Sequence, residues 1–99
     1  MSPKSHVSTH RPVLQNAGRV VYDKTSGDIV HLHQTLWRAG HQAPATSHVD
    51  AEARRLAVKI AGRPEHTLAV LAADLDKLDH ESTYAVDLQT KELVKRTRA

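Results

Sequence analysis

Apolar and polar residues alternate along residues 28–36, DIVHLHQTL, after a short apolar run, RVVY, at 19–22. The segment between them, DKTSG at 23–27, contains residues that favour turns. Aspartate accepts hydrogen bonds from nearby backbone amides, and Gly27 can adopt the positive φ angle that many tight turns require. Two strand-like runs joined by a short segment that includes glycine predict a β-hairpin. We therefore predict a hairpin over 19–36.

A helical period begins after residue 46, in the sequence SHVDAEARRLAVKIAG at 47–62. Its apolar residues recur at intervals of three and four, as on one face of a helix: Val49, Ala53, Leu56, Ala57 and Ile60. Ser47 and Asp50 have the spacing of a capping box. Gly62 lies where a left-handed C-terminal residue belongs, and Pro64 prevents continuation. The pattern predicts an amphipathic helix that begins near Ser47 and ends at Gly62.

The apolar run TLAVLAA at 67–73 has two interpretations. The leucines at 68, 71, 75 and 78 would share one face of a helix, whereas a short apolar run after a helix is typical of a buried strand. We favour a strand over 67–72 and a helical turn near 74–78. Residues 83–96, TYAVDLQTKELVKR, predict a second hairpin.

The two predicted hairpins have similar sequences. Residues 21–30 align with residues 85–94, and both contain two apolar residues, an aspartate, and then a Ser or Thr three positions on. Asp23 and Asp87 occupy the same place, at the start of each turn. Two copies are too few for a solenoid or a propeller, so the repeat indicates a shared type of turn.

The resulting order of elements, β-β-α-β-β-β, predicts the α+β fold class. We expect a small two-layer domain in which an antiparallel β-sheet, made of two β-hairpins plus a central strand, has one α-helix packed on one face. Residues 13–96 of the 99-residue chain form this single domain. Residues 1–12 are polar and are expected to be a disordered N-terminal tail, and 97–99 a C-terminal tail.

Composition narrows the possible functions. The chain contains no cysteine, which excludes disulfides, cysteine-zinc sites and thiol catalysis. Its polar start has no apolar segment like that of a secretory signal, and the run LAVLAA is too short to span a bilayer. We expect a cytoplasmic protein that does not bind membranes. The glycines are isolated and no serine lies in a G-x-S-x-G motif, so no motif indicates an enzyme.

His31 and His33 are the strongest candidates for chemistry. They lie two residues apart on a predicted strand, so their side chains share one face and could bind one metal ion such as zinc. A tight zinc site needs three or four ligands, and His41 or His48 could supply the third. Because the second hairpin has ordinary polar residues at the matching positions, we favour a polar strand face and expect no cofactor. A zinc site at His31, His33 and His41 is the alternative.

The first hairpin also has apolar residues on both predicted faces. Strand alternation places one set under the helix: Val30, Leu32 and Leu36. Ile29 would share the opposite face with the histidines. In one of the possible hairpin registers, Tyr22 would also lie on that face. An apolar face without a cover favours contact with another protein, and Trp37 at the strand end is a natural anchor. We therefore favour a non-catalytic protein-binding or assembly module, and we expect it to be a homo-oligomer.

A third function is suggested by the basic residues. The net charge is +3, and the outer face of the predicted helix contains Arg54, Arg55 and Lys59, while Lys95 and Arg96 lie near the C-terminus. These residues could bind nucleic acid weakly through phosphate contacts. The acidic residues beside the two arginines would partly neutralise them, so a solvated helix face is favoured over a nucleic-acid site.

Overall fold

The structure is a computed structural model, and it describes residues 14–79 and 81–96. The predicted tails, 1–12 and 97–99, lie outside the described residues. The elements are β1 (Leu14–Asp23), β2 (Ile29–Arg38), α1 (Thr46–Ala61), β3 (Leu68–Ala72), β4 (Thr83–Asp87) and β5 (Glu92–Arg96). Short 3-10 turns precede and follow β3, at Glu65–Thr67 and Leu75–Lys77. The order β-β-α-β-β-β confirms the predicted α+β class.

The five strands form two antiparallel sheets. The larger sheet has the order β2-β1-β3, and the smaller one consists of β4 and β5. The central strand is therefore β1, whereas the strand that follows the helix, β3, lies at an edge. β1 has ten residues, and it pairs with β2 from Leu14 to Tyr22 and with β3 from Arg19 to Asp23.

Both faces of the larger sheet are covered near β3. Val20 and Val21 are adjacent in β1, so their side chains point to opposite faces. Val21 packs with Ala53 and Ala57 of α1. Val20 packs with Tyr22 and with residues of the second hairpin, Val86 and Leu93. The second hairpin therefore covers the face opposite the helix and forms a layer of its own.

The two hairpin turns share the geometry that their sequence repeat predicts. The Oδ1 atom of Asp23 accepts hydrogen bonds from the amides two and three residues ahead, at 2.7 and 3.1 Å. Asp87 accepts the corresponding bonds at 2.9 and 3.2 Å. Gly27 and Lys91, four residues after each aspartate, both have positive φ angles, of 79° and 59°. These bonds hold the pKa of Asp23 below its ordinary value, and the nearby Arg63 adds to the effect.

The helix begins one residue earlier than predicted and lacks the predicted capping box. Its N-cap residue is Ala45, with no side-chain cap. The carboxylate of Asp50 binds Arg19 of β1 instead, at 2.6 Å. The C-terminal end agrees with the sequence: Gly62 has a φ angle of 69°, and its amide donates to the carbonyl of Val58.

Candidate functional site

The histidine pair lies on the face of β2 that the helix covers, so the predicted faces are wrong from His31 onward. Val30 lies on the helix side and Ile29 on the opposite face, as predicted. Val21 pairs with His31 but Tyr22 pairs with Ile29, so Val30 is an extra residue, a β-bulge. A bulge changes the alternation of side chains on one strand of a pair. His31 therefore lies beside Val21 on the helix side, while Ile29 packs on the opposite face with Tyr22.

The two imidazoles are close together but have different surroundings. Their ring centroids are 5.9 Å apart. The Nε2 atom of His31 is buried and has no hydrogen-bond partner among the described residues. Burial, and then the nearby His33, lower the pKa of His31 below its ordinary value. The Nε2 atom of His33 lies 3.3 Å from the Thr35 hydroxyl. Burial therefore makes a positive charge on His31 unfavourable.

The structure does not bring the predicted zinc ligands together. His41 is exposed in the loop after β2. The other candidate for a third ligand, His48, lines a surface cleft of about 400 Å³ that also contains His33 and Glu52. Within 14–79 and 81–96, no three His, Asp or Glu side chains are arranged to hold a metal ion. The alternative of a zinc site therefore has no ligand set in this part of the chain.

Two of the three predicted partner-binding residues belong to the core. Tyr22 is buried, and Ile29 is half-buried against the same cluster, which includes Val86 of β4. The second hairpin of the same chain therefore covers both residues. Trp37 lies outside that cluster, half-buried near the end of β2, and its Nε1 atom donates a hydrogen bond to the Gln15 side chain at 3.0 Å.

Three exposed leucines form a surface that was not predicted from the sequence. Leu14, Leu32 and Leu36 are 55, 48 and 56% exposed. Leu32 is the cross-strand partner of Val20, so it lies on the face opposite the helix, and alternation places Leu36 and Leu14 on that face too. We call this set the leucine face. The spacing of Leu32 and Leu36 is visible in the sequence, but the same spacing suits a core-facing strand.

The outer edge of β2 offers backbone groups beside this leucine face. The carbonyl of Gly18 accepts a hydrogen bond from the amide of Ala73, the residue that follows β3. The backbone groups of Gly18 therefore point toward β3, and those of its two neighbours in β1 point toward β2. Backbone groups alternate in direction along a strand. The amide and carbonyl groups of Leu32, Gln34 and Leu36 therefore point away from β1. In the part of the chain that the structure describes, one isolated bridge, from Asp28 to Ala85, lies near this edge and no strand pairs along it.

Most of the predicted nucleic-acid residues are neutralised. Arg55 binds Glu52 at 2.8 Å. Lys95 lies 3.8 Å from Asp79, and Arg96 binds Asp28 at 2.9 Å. Among the described residues, Arg54 and Lys59 form no ion pair. The described basic residues of the helix and of β5 therefore leave isolated cations and not a continuous basic stripe.

The chain was compared with models of protein families, with curated proteins and with solved structures, and none of them matched. Of the helices that the structure describes, none has the length and apolar character needed to cross a membrane. The surface whose geometry suggests a function is the outer edge of β2 with its leucine face.

Proposed function

We propose that the protein is a non-catalytic assembly module of the cytoplasm that forms a homodimer through the outer edges of β2. The observation that carries this proposal is the length and composition of that edge strand. β2 has ten residues, and positions 29–37 contain no Lys, Arg, Asp, Glu or Pro. Edge strands of monomeric proteins are usually protected by short length, charge or proline, and a long apolar edge favours pairing with another strand.

A two-fold axis at Gln34 would make the two edges complementary. In an antiparallel pair centred on Gln34, each Leu32 lies opposite the partner's Leu36, and each Gln34 lies opposite its own copy. The outward backbone groups of these three residues then pair across the interface. The product is a continuous six-stranded sheet, and such an isologous contact closes a dimer and leaves no unpaired copy of the edge.

Apolar burial would add to the backbone pairing. Leu32 and Leu36 from both copies meet on one face, and each side chain is about half exposed in the single chain. Burying the exposed half of a leucine is worth about 1 kcal/mol, since full burial is worth about 1.5–3 kcal/mol. Four such side chains contribute toward the cost of association, together with the newly paired strand.

The experiment is sedimentation equilibrium of the full chain over a range of concentrations. We expect a monomer–dimer equilibrium for the natural sequence. Leu36→Lys places a charge opposite the partner's Leu32 and should shift the equilibrium to monomer. Gln34→Pro should do the same, because it removes an outward amide and leaves the bonds to β1 intact. Ile60→Lys is the matched control, since Ile60 is an exposed apolar residue of the helix, 67% exposed, away from this edge.

Two outcomes would contradict the proposal. A natural chain that remains monomeric at its highest soluble concentration has no such interface. Equal loss of dimer in Leu36→Lys and Ile60→Lys would mean that general apolar character, and not the edge of β2, drives the association. Circular dichroism of each variant verifies that the monomer is folded.

A further inference from the structure

Arg54 differs from the neighbouring basic residues because the acidic residues around it are already engaged. Asp50, four residues earlier on the helix, binds Arg19 at 2.6 Å. Glu52 binds Arg55 at 2.8 Å. Within the described residues Arg54 has no carboxylate partner, and its Nε atom is buried without a hydrogen bond. A buried guanidinium donor without a partner is costly, and an anion beside the guanidinium would offset the cost of its charge.

Arg54 lines a cleft of about 470 Å³ beside β3, together with Lys24, Glu65 and His66. Glu65 is the single acidic residue among the residues that line it. In the described part of the chain, neither Lys24 nor His66 has a side-chain hydrogen bond or an ion pair. The cleft therefore has a net positive charge that the protein itself does not neutralise, and it favours an anionic ligand.

The outer edge of β3 borders the same cleft, through Leu68, Ala69 and Val70. The amide of Lys24 donates to the carbonyl of Thr67, and the amide of Ala73 donates to the carbonyl of Gly18. The odd-numbered residues of β3 and its flanks therefore form their backbone hydrogen bonds with β1 and its continuation. The amide and carbonyl groups of Val70 and Ala72 then point outward, because the direction alternates along the strand. No strand pairs with this edge among the described residues. A ligand in the cleft can therefore reach both cationic side chains and free backbone groups.

We infer that this edge binds an extended acidic segment of a partner protein, which adds a strand beside β3 and places a carboxylate on Arg54 and Lys24. Strand addition takes its affinity from main-chain hydrogen bonds and its specificity from side-chain sites such as this cleft. A phosphate backbone would use the charge and could accept from the outward amides of β3, but its oxygens have no N–H donor for the outward carbonyl groups. The combination therefore favours a peptide over a nucleic acid.

No acidic segment that would suit this cleft occurs in residues 1–13, in residues 97–99 or in the free edge strand, β2. Residues 1–13 and 97–99 contain no Asp or Glu, and neither does β2, Ile29–Arg38. Neither the termini nor a second copy paired through β2 would complement the positive cleft. A different protein with alternating acidic and β-branched residues fits both features. This inference is independent of the proposed dimer, which uses the opposite edge of the sheet.

The test uses a fluorescently labelled peptide, SEVEVDS with blocked ends, and its neutral analogue, SQVQVNS. Anisotropy at low salt should give binding of the acidic peptide that is at least about tenfold tighter than binding of the analogue, a difference of about 1.4 kcal/mol. Arg54→Gln should remove about the same factor. Arg55→Gln is the matched control, since Arg55 is the next residue of the same helix, has the same charge and is bound to Glu52.

The backbone contacts need a second measurement. Amide NMR shifts on adding SEVEVDS should be largest at Val70 and Ala72. Ala72→Pro removes one outward amide at an exposed position and should weaken binding in a chain whose circular dichroism is unchanged. Lys24→Gln gives a further variant if that proline prevents folding.

Three results would overturn the inference. Equal affinity for SEVEVDS and SQVQVNS would exclude a carboxylate site. Equal losses in Arg54→Gln and Arg55→Gln would indicate diffuse attraction to a basic surface. Displacement of the peptide by a single-stranded oligonucleotide, itself dependent on Arg54, would assign the cleft to nucleic acid.

Discussion

Arg19 of β1 and Asp50 of α1 form an ion pair of 2.6 Å between Nε and Oδ1 that fixes the helix over the central strand. Arg19 is 8% exposed, and its Nη1 atom also donates to the carbonyl of Gly18 at 2.9 Å. A buried guanidinium needs partners for its charge and its donors, and the carboxylate of Asp50 supplies the charge. His33 is the cross-strand neighbour of Arg19, so the same contact helps to place the helix beside the histidine pair.

Asp50→Ala should lower the free energy of unfolding by about 2 kcal/mol, because it leaves the charge of Arg19 buried without a partner. The loss should be smaller than that for a completely buried pair, since the side chain of Asp50 is 36% exposed. Glu52→Ala, which breaks the exposed pair with Arg55, is the control and should cost much less, because exposed ion pairs contribute little to stability. Urea unfolding measures both values.

A double variant separates the charge from the packing. Arg19→Met combined with Asp50→Leu removes both charged groups and should be more stable than Asp50→Ala alone, because no uncompensated charge remains. If Asp50→Ala and Glu52→Ala cost the same, the ion pair does not hold the helix on the sheet.

The parts of the fold that were predicted correctly depend on local chemistry. The aspartates at 23 and 87 bond to amides two and three residues ahead, so their role can be inferred from four or five consecutive residues. The end of the helix at Gly62 can likewise be inferred from a few neighbouring residues. Both turns and the end of the helix are consequences of backbone geometry that a short sequence determines.

The parts that were not predicted depend on contacts between distant residues. Asp50 has the spacing of a capping residue, yet it binds Arg19, 31 positions away. The extra residue at Val30 reverses the faces of β2, and a one-residue shift moves every later side chain to the other side of the sheet. The exposure of Leu32 and Leu36 follows from that reversal, so alternation alone assigned them to the core.

The two equivalent turn positions, Gly27 and Lys91, should respond in opposite ways to substitution. Gly27 has a φ angle of 79°, and a Cβ atom there would lie 2.3 Å from the carbonyl oxygen of Val86. Gly27→Ala should therefore lower the free energy of unfolding by more than about 2 kcal/mol, through backbone strain and the collision with β4. Lys91→Gly should raise it by up to about 1 kcal/mol, because lysine is strained at a φ angle of 59°.

Thermal unfolding of the two single variants measures this difference. Gly62→Ala is the control that measures backbone strain alone. Gly62 also has a positive φ angle, but among the described residues a Cβ atom there would meet no other atom within 4 Å. Equal losses for Gly27→Ala and Gly62→Ala would mean that the approach of β4 to the first turn contributes nothing.

The stability of the single chain should fall as the pH decreases, and His31 should contribute to the fall. Burial holds the pKa of His31 below its ordinary value of 6.5, so the unfolded chain binds a proton before the folded chain does. Its stabilising contribution is therefore complete above about pH 6.5 and is lost as the pH falls from there toward the lower pKa of the folded state. His31→Gln should flatten the pH profile of urea unfolding in this range, and His41→Gln, at an exposed position, is the matched control. An unchanged slope in His31→Gln would contradict this account.

The proposed dimer should also weaken at low pH, for a separate reason. In the pairing centred on Gln34, His33 and the partner's His33 are diagonal neighbours on one face, about 7–8 Å apart. Arg19 already places a cation on this face, and Asp50 and Glu52 of the helix are engaged by arginines. Positive charge gained by imidazoles here would therefore have no free carboxylate of the helix beside it. Protonation therefore adds repulsion between the two copies.

Sedimentation equilibrium at pH 7.5 and pH 5.5 measures this effect, and we expect the dissociation constant of the dimer to rise at the lower pH. In the double variant His31→Gln/His33→Gln the dissociation constant should be the same at both values. His66→Gln, on the β3 side of the sheet, should keep the pH dependence of the natural chain. A pH dependence that survives the double variant would place the titrating group elsewhere, and the two-fold axis at Gln34 would then have no support from the histidines.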